Sequence, residues 1–209
     1  MSQDSLPKSR LKTFRLLLWL LVLLAIGGTA ALLLIQRVTV PPAQATQKAA
    51  RSSFGGPFTL VGADGKKFSS AKLLGKPYAM YFGFTRCGDV CPTTLSRMVK
   101  LRQEVGGDTK FNIVFVTIDP AHDGPREVGQ YAALFDSPII GLTGSATQIA
   151  GVKKQFGIYA QPVPNAPMGQ EMEHSAIVLL FDGRGEFLTT ISPDEPDSDA
   201  LAKLNHLLG

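Results

Sequence analysis

The chain has 209 residues and a formal net charge of +4, a length that fits one globular domain with an added segment. The charge is confined to the N-terminus, because residues 1–37 hold five basic residues against one acidic residue, and residues 38–209 hold sixteen of each. This neutral remainder lacks the basic surface that a polyanion requires, which excludes nucleic acid as a partner.

The first predicted element is a transmembrane anchor at residues 16–36. Residues 16–35, LLLWLLVLLAIGGTAALLLI, carry no charge, and as a helix they would span roughly the 30 Å hydrocarbon layer of a bilayer. Four basic residues precede this run, so residues 1–15 are expected to stay in the cytoplasm. A cleaved signal peptide is the alternative, since Ala43-Gln44-Ala45 resembles a cleavage site, although signal peptides usually have a shorter apolar region of about 7–15 residues.

The residues after the anchor are predicted to form a linker and one exported domain. Residues 37–53 are polar, contain Pro41-Pro42 and have no helix or strand period, which is typical of a linker. The domain is then residues 54–209. We expect a single-pass protein of a bacterial inner membrane whose domain faces the periplasm.

The apolar pattern of the domain predicts an α/β sandwich of the thioredoxin type. Continuous apolar runs of strand length indicate buried central strands, and the strand–helix–strand order requires a crossover between parallel strands. The predicted elements are a hairpin at 58–68, strands at 78–84, 111–118, 175–181 and 186–191, a helix from Pro92 to just before Gly106-Gly107, helices at 125–135, 145–156 and 197–208, a short run at 138–142, and a proline-rich loop at 159–173. Asp197 or Ser198 is expected to cap the last helix.

Cys87 and Cys91 are the only two cysteines, and they lie in the predicted turn between a buried strand and a helix. Backbone N–H groups and the helix dipole at such a helix start stabilise thiolates. Two neighbouring thiolates can form a disulfide or bind a soft metal. A purely structural disulfide would stabilise the fold little, because it closes a loop of only a few residues.

A third metal ligand has three candidates among the histidines. His206 is predicted to be a surface residue of the last helix, and His122 to lie in a loop after the second buried strand. His174 precedes the third buried strand, and in a thioredoxin fold this position faces the loop before the first helix. We therefore predict His174 as the third ligand.

Two thiolates and one imidazole suit copper. Thiolates select soft Cu(I), and the same ligands could hold Cu(II) with an added water or oxygen ligand. Structural zinc sites normally use four protein ligands, and the sequence offers no obvious fourth. Met168 and Met172 could add a thioether, but methionines in an exposed loop more often only fill space.

Several motifs together resemble the SCO/SenC family of copper chaperones. They are the segment from Tyr81 to Thr94, YFGFTRCGDVCPTT, the DPxxD loop at Asp119–Asp123, the run Ile140–Gly144, and His174-Ser175. The resemblance covers about residues 54–208. The chain has Gly88 and Glu173 where the family usually has proline and often has aspartate, and glycine predicts a more flexible ligand loop.

The resemblance implies a function and assigns residues to it. Proteins of this family deliver copper to the binuclear CuA centre of cytochrome c oxidase and act on thiol redox state there. The implied partners are therefore the oxidase subunit that carries CuA and a copper donor protein. The implied ligands are Cys87, Cys91 and His174, with Cys87 and Cys91 also able to form a redox disulfide. Asp89, Asp119 and Asp123 are the implied supporting loop residues.

Other functions remain open at this point. A membrane-tethered thiol–disulfide oxidoreductase would use the same cysteines, although such catalysts typically have CxxC spacing, and His174 stands where they have a cis-proline. A copper or redox sensor would share the same site. A peroxiredoxin is disfavoured because residues 81–86 lack the proline that leads to its reactive cysteine. We expect a metallochaperone rather than an enzyme.

Overall fold

A computed structural model describes residues 17–29, 54–168 and 172–209. The chain divides into two compact units, Met1–Arg51 and Ser52–Gly209. In the first unit, residues 17–29 form helix α1, whose leucines and Trp19 are exposed. Among the described residues, no helix is both long enough and apolar enough to cross a membrane. The predicted tail and linker lie outside the described residues, and the predicted anchor lies only partly within them.

The second unit contains a seven-stranded sheet, four α-helices and a separate two-stranded sheet. Its strands are β1 (Thr59–Gly62), β2 (Lys67–Ser69), β3 (Tyr78–Gly83), β4 (Asn112–Thr117), β5 (Ile139–Thr143), β6 (Ala160–Pro162), β7 (Met172–His174), β8 (Val178–Phe181) and β9 (Phe187–Ile191). Its helices are α2 (Val90–Glu104), α3 (Pro125–Ala133), α4 (Ala146–Gln155) and α5 (Asp197–Leu208), with a 3-10 turn at Ser70–Leu73.

The large sheet confirms the predicted thioredoxin-like α/β fold. Its strand order is β2-β1-β5-β4-β3-β8-β9. Strands β3, β4 and β5 are parallel, whereas the pairs β3–β8, β8–β9, β1–β5 and β1–β2 are antiparallel. All six residues of β3 are buried, as expected for an apolar strand covered on both faces.

Helices cover both faces of this sheet. On one face, Cys91 of α2 lies against Gly83, and Tyr131 of α3 packs against Phe115 at 5.1 Å between ring centroids. On the other face, Phe156 at the end of α4 packs against Phe82 at 5.8 Å. The core therefore consists of two layers, one on each face of the sheet. The carboxyl end of β3 lies next to α2 and the loops at the same end of the sheet.

The run at 138–142, predicted only as a short link, is in fact a central strand. It forms β5 and pairs in parallel with β4 on one side and antiparallel with β1 on the other. Gly141 lets α3 approach this strand closely, because a Cβ there would lie 2.7 Å from the carbonyl oxygen of Val128. A five-residue strand with a glycine at its centre has too little apolar pattern to be recognised alone.

The prediction of a loop at 159–173 was wrong at both ends. Its ends pair as β6 and β7, with Ala160 opposite His174 and Pro162 opposite Met172. Proline is tolerated here because this two-stranded sheet consists only of edge strands. The next buried strand, β8, begins at Val178 rather than at residue 175, so His174 ends the small sheet instead of entering the large one.

Two helix starts also differ from their predictions. Helix α2 begins at Val90, two residues before Pro92, with Asp89 at its N-cap position. Helix α5 has Pro196 at its N-cap and no side-chain cap. The predicted caps at Asp197 and Ser198 are therefore wrong, and both residues lie inside the first turn.

Candidate metal centre

The two cysteines lie where β3 leads into α2. After Gly83 the chain turns, and the backbone N–H of Cys87 donates to the carbonyl oxygen of Phe84 at 3.2 Å. Cys91 is the second residue of α2, and its backbone N–H donates to Cys87 Sγ at 3.3 Å. Cys87 is 7% exposed and Cys91 is fully buried, so the first sulfur faces the surface and the second lies beneath it.

Gly83 leaves the space into which the sulfur of Cys91 fits. A Cβ at this position would lie 2.8 Å from Cys91 Sγ and 3.2 Å from Phe115 Cε2. Both distances are shorter than ordinary van der Waals contact, so any larger residue would push the sulfur or the ring aside. The sequence motif contained this glycine, but its role follows only from the packing.

His174 is held over the cysteines by the small sheet. It pairs with Ala160, and the next backbone N–H, that of Ser175, donates to the carbonyl oxygen of Tyr159 at 3.0 Å. His174 Nδ1 lies 3.1 Å from the carbonyl oxygen of Ser175 and therefore carries the proton that this bond needs. The other nitrogen, Nε2, then presents a lone pair 3.5 Å from Cys91 Sγ.

The three predicted ligands thus come together in one cluster. Their ligand atoms all lie within 4.8 Å of one another, and within the part of the chain that the structure describes this is the single such group of histidine, cysteine and acidic residues. His122 and His206 lie outside it. Met168 is 90% exposed, whereas Met172 is half-buried in β7, two residues before His174.

The two sulfurs differ in their protonation. The two cysteines are not joined by a disulfide in this structure. Hydrogen bonding from the Cys91 thiol, helped by backbone N–H groups at the start of α2, lowers the pKa of Cys87 well below that of an ordinary cysteine. The adjacent Cys87 sulfur and burial raise the pKa of Cys91 above its ordinary value. Without a metal, Cys87 is therefore the thiolate and Cys91 the thiol.

Asp123 fixes the loop that leads to Cys87. Its buried carboxylate accepts hydrogen bonds from the Thr85 backbone N–H at 2.9 Å, the Thr85 hydroxyl at 2.5 Å and the Thr117 hydroxyl at 2.6 Å. Its carbonyl oxygen accepts from the Thr143 hydroxyl at 2.6 Å. One residue thereby ties the ends of β3, β4 and β5 together beneath the cysteine loop.

The other two predicted supporting residues act differently. Asp119 Oδ2 pairs with Arg86 Nη2 at 2.9 Å and lies 2.8 Å from His122 Nδ1, so it orders the outer side of the same loop. Asp89 makes no side-chain cap hydrogen bond to α2. Instead it lines an open cleft of about 560 Å³ beside Cys87 and His174, together with Val90 and residues 163–167. This cleft gives solvent and solutes access to the cluster.

Comparisons with known proteins agree on one family. The SCO1/SenC family model matches residues 46–209. The chain is 32% identical to "Protein SCO2, mitochondrial" of Saccharomyces cerevisiae over 190 residues, which are 88% of this chain and 63% of that protein. It spans 58% to 63% of the length of three yeast relatives of this kind.

Solved structures give the same result. The copper-bound ScoI of Bradyrhizobium japonicum is similar with a TM-score of 0.65 and 34% identity, over 74% of this chain and 99% of that one. Copper-bound yeast Sco1 is similar with a TM-score of 0.65 and 30% identity, over 74% and 87% of the two chains.

Proposed function

The chain belongs to the SCO1/SenC family, and from this premise we propose that it is a membrane-anchored copper chaperone. It binds one copper ion through Cys87, Cys91 and His174 and delivers it to the CuA centre of cytochrome c oxidase. The observation that carries the proposal is the cluster of two sulfurs and one imidazole nitrogen, all within 4.8 Å of one another.

The chemistry of this cluster favours copper as cargo. Thiolate sulfur is a soft ligand that selects Cu(I), and imidazole suits either copper oxidation state. The lowered pKa of Cys87 supplies one thiolate before the metal arrives, and the proton on His174 Nδ1 leaves Nε2 free to bind. Related proteins with about a third of their residues identical have been solved with copper bound.

Delivery requires that the copper can also leave. Three protein ligands leave one side of the ion accessible, and the open cleft beside Cys87 and His174 gives a recipient's ligands a path to it. A recipient can then replace the three ligands one at a time. The CuA-bearing oxidase subunit as recipient, and a separate copper donor protein, follow from the family resemblance.

The proposed location also follows from the sequence and the family. The apolar run at 16–36 would anchor the chain in a bacterial inner membrane, and the basic residues before it would keep the tail in the cytoplasm. The metal centre would then face the periplasm.

A copper titration of the full chain in detergent tests the binding part of the proposal. Reduced wild type competes with a Cu(I) chelator beside Cys87→Ser, Cys91→Ser and His174→Ala, with His122→Ala and His206→Ala as matched controls outside the cluster. We expect one tight copper per chain, weakened by each of the first three substitutions and by neither control. Copper binding that is indifferent to His174 would reject the three-ligand site.

A transfer experiment tests delivery. The Cu(I)-loaded chain is mixed with a metal-free CuA domain, samples taken with time are oxidised by one electron with ferricyanide, and the absorption spectrum of the resulting CuA centre is measured. We expect faster transfer from the wild type than from free copper, and from Cys87→Ser at the same total copper only the rate of free copper. Equal rates from the loaded chain and from free copper would reject a delivery role.

One observation supports a second function, thiol–disulfide exchange. The Cys87 thiolate lines the cleft, and Cys91 lies behind it as a thiol. Cys87 would attack a partner disulfide to form a mixed disulfide and release one partner thiolate. Cys91, after losing its proton, would then attack Cys87 Sγ, which leaves a Cys87–Cys91 disulfide and a reduced partner. His174→Ala should weaken copper binding but leave both cysteines that this reaction uses.

A further inference from the structure

Tyr81 carries a buried hydroxyl that the fold does not use. The residue is the fourth of β3 and is 1% exposed. Its hydroxyl lies near the Cys91 sulfur and Thr94, but it makes no well-formed hydrogen bond within the part of the chain that the structure describes. Buried hydroxyls are nearly always hydrogen-bonded, because burying one without a hydrogen bond costs free energy. We therefore expect the Tyr81 hydroxyl to form a hydrogen bond in another state of the protein.

The hydroxyl-bearing ring lies against the proposed metal centre. Tyr81 and Gly83 point to the same face of β3, since side chains alternate along a strand. A Cβ on Gly83 would lie 3.0 Å from Tyr81 Cε1 and 2.8 Å from Cys91 Sγ, so the ring and the sulfur border the same small space. The ring also meets His174 edge-on, with 6.1 Å between centroids.

The chemistry of Cys91 explains why the hydroxyl is unpaired here. As a neutral thiol, the Cys91 sulfur is a weak hydrogen-bond acceptor. As a thiolate bound to copper it carries negative charge, and hydrogen bonds to charged acceptors are shorter and about twice as strong as neutral ones. A tyrosine hydroxyl carries a proton at neutral pH and can therefore donate a hydrogen bond.

We propose that Tyr81 is a positioning residue of the copper site, whose buried hydroxyl donates a hydrogen bond to the Cys91 sulfur when that sulfur is a thiolate ligand. The inference rests on the proposed copper-binding function and adds a residue that acts on the metal through its ligand. The bond holds the sulfur in place. It also withdraws electron density from the sulfur, which favours Cu(I) over Cu(II).

Tyr81→Phe tests the proposal because it removes only the hydroxyl. The matched control is Tyr78→Phe on the same strand. Tyr78 is also buried, but it points to the opposite face, where it stacks on Phe181 at 4.8 Å, and its hydroxyl lies near Gly185. Both variants are made in the full chain, which is reduced and titrated with Cu(I) against a chelator at neutral pH.

We expect Tyr81→Phe to weaken Cu(I) binding about 10-fold to 100-fold, the usual effect of losing a partner of a metal ligand, while Tyr78→Phe binds as the wild type does. In the Cu(II) form, the sulfur-to-copper charge-transfer band of Tyr81→Phe should move to lower energy. The metal-free melting temperature of Tyr81→Phe should not fall, because the variant removes a hydroxyl that makes no well-formed hydrogen bond in that state.

Each other outcome overturns the inference. If Tyr81→Phe binds copper as tightly as the wild type, with an unshifted band, the hydroxyl has no role in the site. If its affinity falls together with the metal-free melting temperature, the role of Tyr81 is packing and not hydrogen bonding. A wild type that takes up no copper would instead reject the proposed function, and the inference with it.

Discussion

Replacing Gly83 with alanine tests whether the geometry of the metal centre depends on packing beneath it. The added methyl group would meet Cys91 Sγ at 2.8 Å, Tyr81 Cε1 at 3.0 Å and Phe115 Cε2 at 3.2 Å. All three neighbours are buried and none is the free end of a flexible chain. The sulfur therefore has to move away from Gly83, and its position 3.5 Å from His174 Nε2 changes with it.

The cost can be estimated from the kind of contact. Overfilling a packed core by one methyl group costs about 1–3 kcal/mol, and for a domain of this size about 2 kcal/mol lowers the melting temperature by about 4–8 °C. We expect this fall in thermal unfolding of the reduced, metal-free chain, followed by circular dichroism. Copper affinity should also fall by about tenfold or more, because a ligand has been displaced.

Gly151→Ala is the matched control for this substitution. Gly151 lies in α4, and a Cβ there would meet nothing within 4 Å. Alanine is favoured over glycine in a helix by about 1 kcal/mol, so this variant should melt at or above the wild-type temperature and bind copper normally. The reasoning fails if Gly83→Ala melts with the wild type and binds copper equally well.

Two further predictions concern the cysteine loop. Because the pKa of Cys87 is lowered and that of Cys91 is raised, iodoacetamide should label Cys87 of the reduced, metal-free chain at a rate that stays nearly constant from mildly alkaline to mildly acidic pH. Mass spectrometry should find Cys91 unlabelled. In Cys91→Ala, the rate of Cys87 labelling should fall as the pH drops below neutral. A wild-type rate that falls with pH like that of a free cysteine would contradict the lowered pKa of Cys87. Asp123→Asn should lower the free energy of unfolding by about 3 kcal/mol, because an amide replaces an acceptor that binds three donors. Asp136→Asn is the control, because Asp136 is exposed and asparagine also adopts its backbone conformation, at φ 46°. Equal urea midpoints for Asp123→Asn and Asp136→Asn would rule out the proposed role of Asp123.

The parts of the fold predicted correctly are those with a strong local signal. Strand β3 is a continuous apolar run, and such a run is typical of a strand covered on both faces. Strand β5 was missed because it is short and contains Gly141, and its status as a strand depends on its neighbours β1 and β4. The ends of the 159–173 segment were missed because its prolines favour a loop, and only the pairing of β6 with β7 overrides them.

The metal centre, too, was predicted only in part from the sequence. The cysteine spacing and the isolated His174 are visible in the sequence, and the three side chains do meet in the fold. The element that positions His174 differs from the prediction, because His174 lies in the small sheet and not at the start of β8. The space at Gly83 and the unpaired hydroxyl of Tyr81 arise from contacts between β3 and α2, which no local pattern encodes.

Copper K-edge X-ray absorption measures directly whether one copper ion is bound by two sulfurs and one imidazole nitrogen. The sample is the reduced full chain loaded with one equivalent of Cu(I), beside His174→Ala and the His122→Ala control. We predict two sulfur neighbours and one nitrogen neighbour with imidazole scattering in the wild type and the control, and loss of the imidazole signal in His174→Ala. Sulfur-only coordination in the wild type, or an imidazole signal that persists in His174→Ala, would contradict the account.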